Sequence, residues 1–168
     1  MSDKFVAILM GSDSDLPVMQ STYDTLKKLG ISVEMKITSA HRTPAATHEY
    51  VKDAESRGCQ IFICAAGLAA HLAGAVAGIT TRPVIGVPMD GGPLQGEDAL
   101  LSTVQMPGGV PVATVAIGKA GAKNAAYLAA QIMALSDNTI DKTVREDREA
   151  NAQAVIQKDK DLQAKLNA

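Results

Sequence analysis

The residues whose types are best suited to catalysis and ligand binding are His41 and Arg42, within the stretch SAHRTP at residues 39–44. Histidine side chains exchange protons near neutral pH, and the forked guanidinium of arginine binds carboxylates and phosphates. Ser39 adds a hydroxyl group to the same turn. The stretch therefore predicts a proton carrier beside an anion clamp. A His-Arg pair alone is more typical of a solvated loop, so the surrounding elements must decide between the two interpretations.

A second polar turn, GSDSD at residues 11–15, lies between an apolar run and an amphipathic segment. Backbone N–H groups and the helix dipole at such a helix start favour a bound anion. Ser12 and Ser14 add hydroxyl donors for a phosphate. Asp15 would repel phosphate, so it is assigned either to sugar hydroxyls, as in a ribose, or to capping its own helix. A capped helix end without any ligand is an equal alternative for this turn taken alone.

A third turn, AAGLAAH at residues 65–71, contains Gly67 and His71. Gly67 lets the backbone approach a small planar group closely. His71 is either a polar residue of the site or a histidine satisfied at the start of a helix. His48 falls within a predicted helix and is interpreted as a surface residue. No group of His, Cys, Asp and Glu has metal-ligand spacing, which predicts chemistry without a metal ion.

The elements that position these turns read as an alternating α/β pattern. Predicted strands at 5–10, 31–37, 61–64, 84–87 and 111–117 alternate with predicted helices at 17–29, 44–57, 72–78, 98–105 and 120–135. Such alternation favours a three-layer, doubly wound parallel sheet of the flavodoxin-like order 2-1-3-4-5, with 5–10 as its central strand. Ligands bind outside the carboxyl ends of these strands. The three polar turns are therefore expected to be neighbours.

Length and composition predict a single domain, residues 1–168. With 16 basic and 18 acidic residues the net charge is −2, so no basic field would attract nucleic acid or an anionic membrane. Cys59 and Cys64 are predicted to be free, buried thiols, which suits a reducing cytoplasm. The start of the chain has no room for a signal peptide before residue 5. The apolar stretch 61–79 is broken by glycines and is rejected as a membrane span.

Two segments near the end of the chain predict contacts between subunits. The helix at 120–135 is apolar around nearly its whole circumference, and such a helix must be buried on all sides. The tail at about 137–168 is polar but carries spaced apolar residues, as in a long terminal helix. We therefore expect a homo-oligomer in which this tail lies across a neighbouring subunit.

Several stretches, taken in order, resemble a known family. They are MGSDSD (10–15), SAHRTP (39–44), AAHL (69–72), PVIGVP (83–88), VQMPGGVPVATVAIGKAGAKNAA (104–126) and the polar tail. Together they cover nearly the whole chain and resemble the bacterial class of 5-aminoimidazole ribonucleotide carboxylases, the N5-carboxyaminoimidazole ribonucleotide mutases of purine biosynthesis. The resemblance implies a flavodoxin-like homo-octamer that uses no cofactor or metal and shares active sites between subunits.

The resemblance also implies a reaction and a role for each candidate residue. A carboxylate moves from the exocyclic nitrogen of the substrate's imidazole to the neighbouring ring carbon, with His41 as general acid and then general base. The other candidates would bind the ribonucleotide: Ser12, Ser14 and Arg42 its phosphate, Asp15 its ribose hydroxyls, and Ser39, Gly67 and His71 the region around the base and the carbon dioxide.

Two features depart from the family pattern. Leu68 stands where the family usually has a second glycine, and Ala73-Gly74 follow Leu72 where it usually has proline. The segment 89–96 is also unusually rich in glycine. Direct carboxylation of aminoimidazole ribonucleotide by carbon dioxide is the alternative activity. Its enzymes typically have Ser-Ala-His-Lys and a Gly-Arg-Ser-Asn turn, so Arg42 and the Ala-Ala-His sequence favour the mutase.

Two binding modules of the same fold class are rival interpretations. A flavin-binding electron carrier commonly stacks aromatic residues on its cofactor, and none of the three tyrosines falls in a strand-end turn. A phospho-receiver module would explain Asp13, Asp15 and Lys119. It also needs an acceptor aspartate at the end of the third strand, where this chain has Cys64-Ala65-Ala66.

Overall fold

Five parallel strands alternate with six helices in residues 4–167, the part of the chain described by the computed structural model. The strands are β1 (Phe5–Met10), β2 (Ser32–Ile37), β3 (Cys59–Ala66), β4 (Val84–Pro88) and β5 (Ala113–Thr114). The helices are α1 (Leu16–Lys28), α2 (Pro44–Arg57), α3 (Leu72–Ala77), α4 (Glu97–Val104), α5 (Gly118–Ala134) and α6 (Asn138–Leu166). The order β2-β1-β3-β4-β5 confirms the predicted flavodoxin-like sheet. Residues 1–3, part of the signal-peptide expectation, and residue 168 lie outside the described residues.

The sheet is covered by helices on both faces, which explains the uninterrupted apolar runs of β1 and β4. Alternate residues of β1 point to opposite faces, so Ile8 and Leu9 are both fully buried in different clusters. One cluster includes side chains of α1, α5 and α6, and the other includes side chains of α2 and α3. The helices thus hold the carboxyl ends of the strands at one common edge.

The position of β1 and the length of β5 differ from the sequence-based prediction. The middle strand is β3, which pairs with β1 on one side and β4 on the other. Strand β5 covers only two of the seven predicted residues. It pairs with β4 alone, and Pro111 has no N–H group to donate to the ladder. Pro111 therefore cannot extend the ladder, and β5 begins only at Ala113.

Helix α5 buries most of its apolar surface inside its own chain. Small side chains such as Ala122 and Ala126 are fully buried, and they let α1 approach closely enough for Thr22 Oγ1 to donate to the Ala122 carbonyl at 2.7 Å. The expectation that α5 needs a second subunit to bury its apolar side chains is therefore wrong. Its neighbours α1, α6 and the sheet cover it.

Helix α6 packs on α5 only through its first half. Ile140, Val144 and Asp147 are its buried residues, whereas every residue from 148 to 167 is exposed. The exposed part carries Val155, Ile156, Leu162 and Leu166. Within the described chain, none of the helices is long and apolar enough to cross a membrane. Cys59 and Cys64 are free and buried, as predicted, and burial raises the pKa of Cys59 to about 11.

Candidate active site

A cavity of about 590 Å³ opens at the carboxyl ends of β1, β2, β3 and β4, within the usual size range for small-molecule sites. Its lining contains all eight residues that the sequence analysis selected: Ser12, Ser14, Asp15, Ser39, His41, Arg42, Gly67 and His71. The polar turns after β1, β2 and β3 therefore line the same cavity. His41 and Arg42 are nevertheless exposed on their loop, so the role of each residue stays a prediction.

The two histidines of the cavity form a pair. Nε2 of His41 lies 2.7 Å from Nδ1 of His71, and the rings meet edge to face at 81°. A hydrogen bond of this kind requires one nitrogen to donate and the other to accept, so the two tautomers are linked. His71 precedes α3 but its side chain does not cap that helix. His71 thus stands at a helix start and has its hydrogen-bond partner on another turn of the cavity, and its role in the site stays a prediction.

Ser39 and Thr43 shape the turn that carries His41. The Arg42 N–H donates to Ser39 Oγ at 3.1 Å, and the Ser39 N–H donates to Thr43 Oγ1 at 2.9 Å. Pro44 follows as the first residue of α2, where its missing N–H costs nothing. These bonds fix the backbone around His41, while the guanidinium of Arg42 forms no ion pair with any residue in 4–167.

Ser12 and Ser14 form a compact hydroxyl cluster after β1. Ser12 Oγ accepts from the Ser14 N–H at 3.2 Å and from the Ser14 hydroxyl at 3.0 Å. A short 3-10 turn, Asp13–Asp15, leads from here into α1, and the Gly11 N–H donates to the Ala65 carbonyl at 3.0 Å. The start of α1 is thereby held against the end of β3, where its free N–H groups favour an anion.

Asp15 is the buried carboxylate of the cavity, with 7% of its surface exposed. It occupies the position before α1 but makes no capping hydrogen bond with its side chain, so the capping alternative is wrong. Burial raises the pKa of Asp15, and hydrogen bonds from the Ser12 backbone and the Ser14 side chain offset this only in part. A ligand with hydroxyl donors would replace the hydrogen bonds from water that the Asp15 carboxylate loses on burial.

Comparison with known proteins identifies the family of this chain. The family model described as AIR carboxylase matches residues 5–154. The N5-carboxyaminoimidazole ribonucleotide mutase of Thermotoga maritima is 53% identical over 153 residues, covering 91% of this chain and 88% of that protein. The protein of the same name from Bacillus subtilis is 51% identical, covering 90% and 94%. The chain belongs to the AIR carboxylase family.

Solved structures agree with this family assignment. A crystal structure of Treponema denticola PurE superimposes with a TM-score of 0.85 at 35% identity. The match covers 95% of this chain and 98% of that one. The similarity therefore extends over nearly the whole fold of this AIR carboxylase family member.

The sequence analysis missed cavity residues on the segment that follows β4. Met89, Asp90, Gly91 and Gly92 all line the cavity of this family member. The sequence could have predicted them, because a glycine-rich loop after a parallel strand lies at the ligand-binding edge of the sheet. The segment was noted only as a departure from the family pattern, so none of its residues was assigned a role.

Leu68, the first departure from the family pattern, has an unusual backbone conformation. It is one of two non-glycine residues in 4–167 with a positive φ, at 56°. Left-handed backbone costs a residue with a side chain about 1–2 kcal/mol. Leu68 nevertheless lines the cavity with half of its surface exposed, so this position carries both strain and exposed apolar surface.

Proposed function

We propose that this chain converts N5-carboxyaminoimidazole ribonucleotide into 4-carboxy-5-aminoimidazole ribonucleotide, a step of purine biosynthesis. Its relatives from Thermotoga maritima and Bacillus subtilis carry the name of this mutase. The observation that carries the proposal is the His41–His71 pair, whose nitrogens lie 2.7 Å apart in the same cavity as a free arginine and a buried carboxylate. A proton carrier, an anion site and a sugar site are what this substrate requires.

The substrate would be seated by groups on three turns. The phosphate would lie between Arg42 and the hydroxyls of Ser12 and Ser14, near the start of α1. Asp15 would accept hydrogen bonds from the ribose hydroxyls. These contacts would place the imidazole beside His41, with Gly67 leaving room for its planar ring. Ser39 holds the turn that orients His41.

The first chemical step would break the bond between the exocyclic nitrogen and the carboxylate carbon. The electrons of that bond return to the nitrogen, and a protonated His41 gives the nitrogen its proton. Carbon dioxide and aminoimidazole ribonucleotide then occupy the cavity together. Acid–base catalysis by a positioned side chain is typically worth about 10²–10⁴-fold.

The second step would form the new carbon–carbon bond. The electron-rich ring carbon attacks carbon dioxide, and the now neutral His41 removes the proton from that ring carbon. Aromaticity returns, His41 is protonated again and the carboxylate has moved by one position. Because one group gives and regains the proton within a turnover, no external acid, base or cofactor is consumed.

His71 would keep His41 in the tautomer that this cycle needs. If Nδ1 of His71 accepts a hydrogen bond from Nε2 of His41, then Nδ1 of His41 is the nitrogen that exchanges protons with the substrate. This assignment holds in both protonation states of His41, since Nε2 keeps its hydrogen throughout. A partner on the second ring nitrogen is the usual way in which proteins fix a histidine tautomer.

We also propose that the chain works as a single domain, in a homo-octamer in the cytoplasm. A homo-oligomer is supported by the apolar side chains on the second half of α6, which are exposed within residues 4–167. The free thiols Cys59 and Cys64 suit a reducing compartment.

Incubation of the purified protein with N5-carboxyaminoimidazole ribonucleotide, without ATP or added bicarbonate, tests the proposed reaction. The ring-carboxylated product should form above the spontaneous background. His41→Asn should still bind the ribonucleotide but lose nearly all turnover. His48→Asn is the matched control, because His48 is exposed on α2 outside the cavity, and it should leave the rate unchanged.

The same assay separates the alternative activity. If product forms only from aminoimidazole ribonucleotide at high carbon dioxide, the chain is a direct carboxylase and the mutase proposal is wrong. Substantial turnover by His41→Asn would instead show that another group carries the proton.

A further inference from the structure

Leu68 bridges two loops at the edge of the cavity. We propose that this side chain closes the cavity wall between them and so retains carbon dioxide between its release and its recapture. The inference rests on the proposed mutase function and adds to it a residue that acts on the neutral intermediate rather than on the ribonucleotide.

The two loops lie side by side because they follow neighbouring strands. Ala66 at the end of β3 is in register with Pro88 at the end of β4, and the Met89 N–H donates to the Ala66 carbonyl at 3.0 Å. One residue further on, a side-chain carbon placed on Gly67 would be 3.4 Å from Cβ of Met89. The bases of the loops are therefore joined by a backbone hydrogen bond, with room for about one side-chain carbon between Gly67 and Met89.

Beyond this contact, the Leu68 side chain reaches across to Gly92. Its Cδ2 lies 2.3 Å from the position that a Cβ on Gly92 would occupy. Gly92 has φ of +83°, so it combines a left-handed backbone with the absence of a side chain. The leucine tip therefore rests in space that exists because residue 92 is glycine.

The composition of this wall explains why the leucine matters. Gly91 and Gly92 contribute backbone alone on one side, and Gly67 contributes backbone alone on the other. Leu68 supplies the apolar bulk between them, although 52% of its surface is exposed and its φ of 56° is unfavourable for a leucine. A side chain held against two such penalties is expected to have a local task, and its contact across the cavity edge is that task.

Carbon dioxide is the species that such a wall would hold back. It is small and uncharged, so neither Arg42 nor the hydroxyls of the phosphate site would retain it. After the bond between nitrogen and carbon breaks, carbon dioxide either bonds to the ring carbon or leaves, and its loss leaves aminoimidazole ribonucleotide. The ratio of these two products therefore measures how well the cavity is closed.

Partitioning of N5-carboxyaminoimidazole ribonucleotide in Leu68 variants tests the proposal. Leu68→Gly fits the left-handed backbone and removes the bridge, so the enzyme-dependent share of aminoimidazole ribonucleotide should rise about tenfold. Leu68→Met keeps an apolar side chain of similar reach and should behave like the unmodified protein. Gln95→Gly is the matched control, because Gln95 is the other non-glycine with positive φ, at 51°, and it does not line the cavity.

A second variant, on the loop after β4, disrupts the contact between Leu68 and Gly92 from the other side. In Gly92→Ala the added carbon would displace the leucine tip, so aminoimidazole ribonucleotide release should again increase. In the Leu68→Gly background the same substitution meets no side chain and should add nothing. This non-additivity distinguishes a bridge from two separate structural defects, and it keeps the proposal testable if Leu68→Gly folds poorly.

Each outcome decides between the possibilities. An unchanged product ratio in Leu68→Gly and Gly92→Ala, or an equal change in Gln95→Gly, would overturn the role of Leu68 while leaving the mutase intact. If the unmodified protein forms no ring-carboxylated product at all, the mutase function fails and this inference fails with it. A raised ratio in the two bridge variants alone supports the proposal.

Discussion

Single side chains in the cavity owe their proposed roles to contacts across loops. His41 and His71 are 30 residues apart, and their turns come together because β2 and β3 flank β1 in the sheet. The pairing turns an ambiguous histidine into a candidate positioning residue for the general acid and base. Asp15 changes in the same way, because its burial and its lack of a capping bond direct it toward a ligand.

Substitution of His71 tests its proposed effect on His41. His71→Ala should lower kcat by about 10–100-fold, the usual consequence of losing a hydrogen bond that orients a functional histidine, with a smaller change in KM. His71→Gln offers an amide oxygen as acceptor and should restore part of the lost rate. A loss confined to KM would mean that His71 binds the ribonucleotide instead.

Substitution of Asp15 by asparagine should raise the stability of the fold and weaken substrate binding. Because burial raises the pKa of Asp15, its ionised form is disfavoured by folding, and the penalty grows as the pH rises above the ordinary carboxyl range. Asp15→Asn should therefore unfold at a higher temperature at pH 7, and the gain should disappear near pH 3, where the carboxyl is protonated in both states. KM should rise about tenfold or more through loss of the ribose contact.

Thermal melts at both pH values and initial-rate kinetics check this trade. A destabilised Asp15→Asn protein at pH 7 would contradict it, because the carboxylate would then be satisfied within the free protein.

Among the helices, α6 is fastened to α1 and α5 by one buried carboxylate. Asp147 accepts hydrogen bonds from Lys28 of α1, from the Tyr127 hydroxyl of α5 at 2.7 Å and from Asn151 at 2.9 Å. The Lys28 ammonium, then the Tyr127 hydroxyl, lower the pKa of Asp147. The start of α6 is thus held by polar contacts as well as by Ile140 and Val144.

Asp147→Asn should destabilise the fold by about 1–2 kcal/mol at pH 7, since solvent at Lys28 screens part of the interaction. A lowered pKa means that the carboxylate stabilises the protein above the ordinary carboxyl range and loses that effect as the pH falls below about 4. The deficit should therefore shrink toward pH 3. Urea denaturation at the two pH values measures it.

Glu149→Gln is the matched control on the same helix, because Glu149 is exposed and bonds only to Gln153. It should change stability by less than about 0.5 kcal/mol. An Asp147→Asn deficit that is the same at pH 7 and pH 3 would show that the charge of Asp147 is not what holds the helix.

The protein should be an assembly, because the second half of α6 is exposed throughout the part of the chain that the structure describes. Val155, Leu162 and Leu166 recur at spacings of seven and four residues, which places them on one face of the helix. Eight chains of 17.5 kDa should give a particle of about 140 kDa. Light scattering on the purified protein measures this mass.

A charge on that face should break the assembly. Leu162→Glu is expected to reduce the particle mass, whereas Gln163→Glu, which introduces the same charge at the neighbouring position, should leave it at the octamer value. A particle of one or two chains in the unmodified protein would contradict the octamer. An unchanged mass in Leu162→Glu would show that other surfaces hold the subunits together.

Local patterns in the sequence were enough for the elements and for the set of candidate residues. Apolar runs of strand length, Pro44 at a helix start and Gly58 at a helix end depend on neighbours in the chain, and the structure confirms them. The rule that parallel strands present their carboxyl ends at one edge then gathered three distant turns around one cavity.

Packing between distant segments required the tertiary structure. The shortness of β5, the burial of α5 within its own chain, the pairing of His41 with His71 and the contact of Leu68 with Gly92 join residues far apart in sequence. No periodicity encodes which side chains meet across a crossover, because that depends on strand order, loop path and helix packing together. The sequence thus identified eight residues that line one cavity, and the fold showed which of them touch one another.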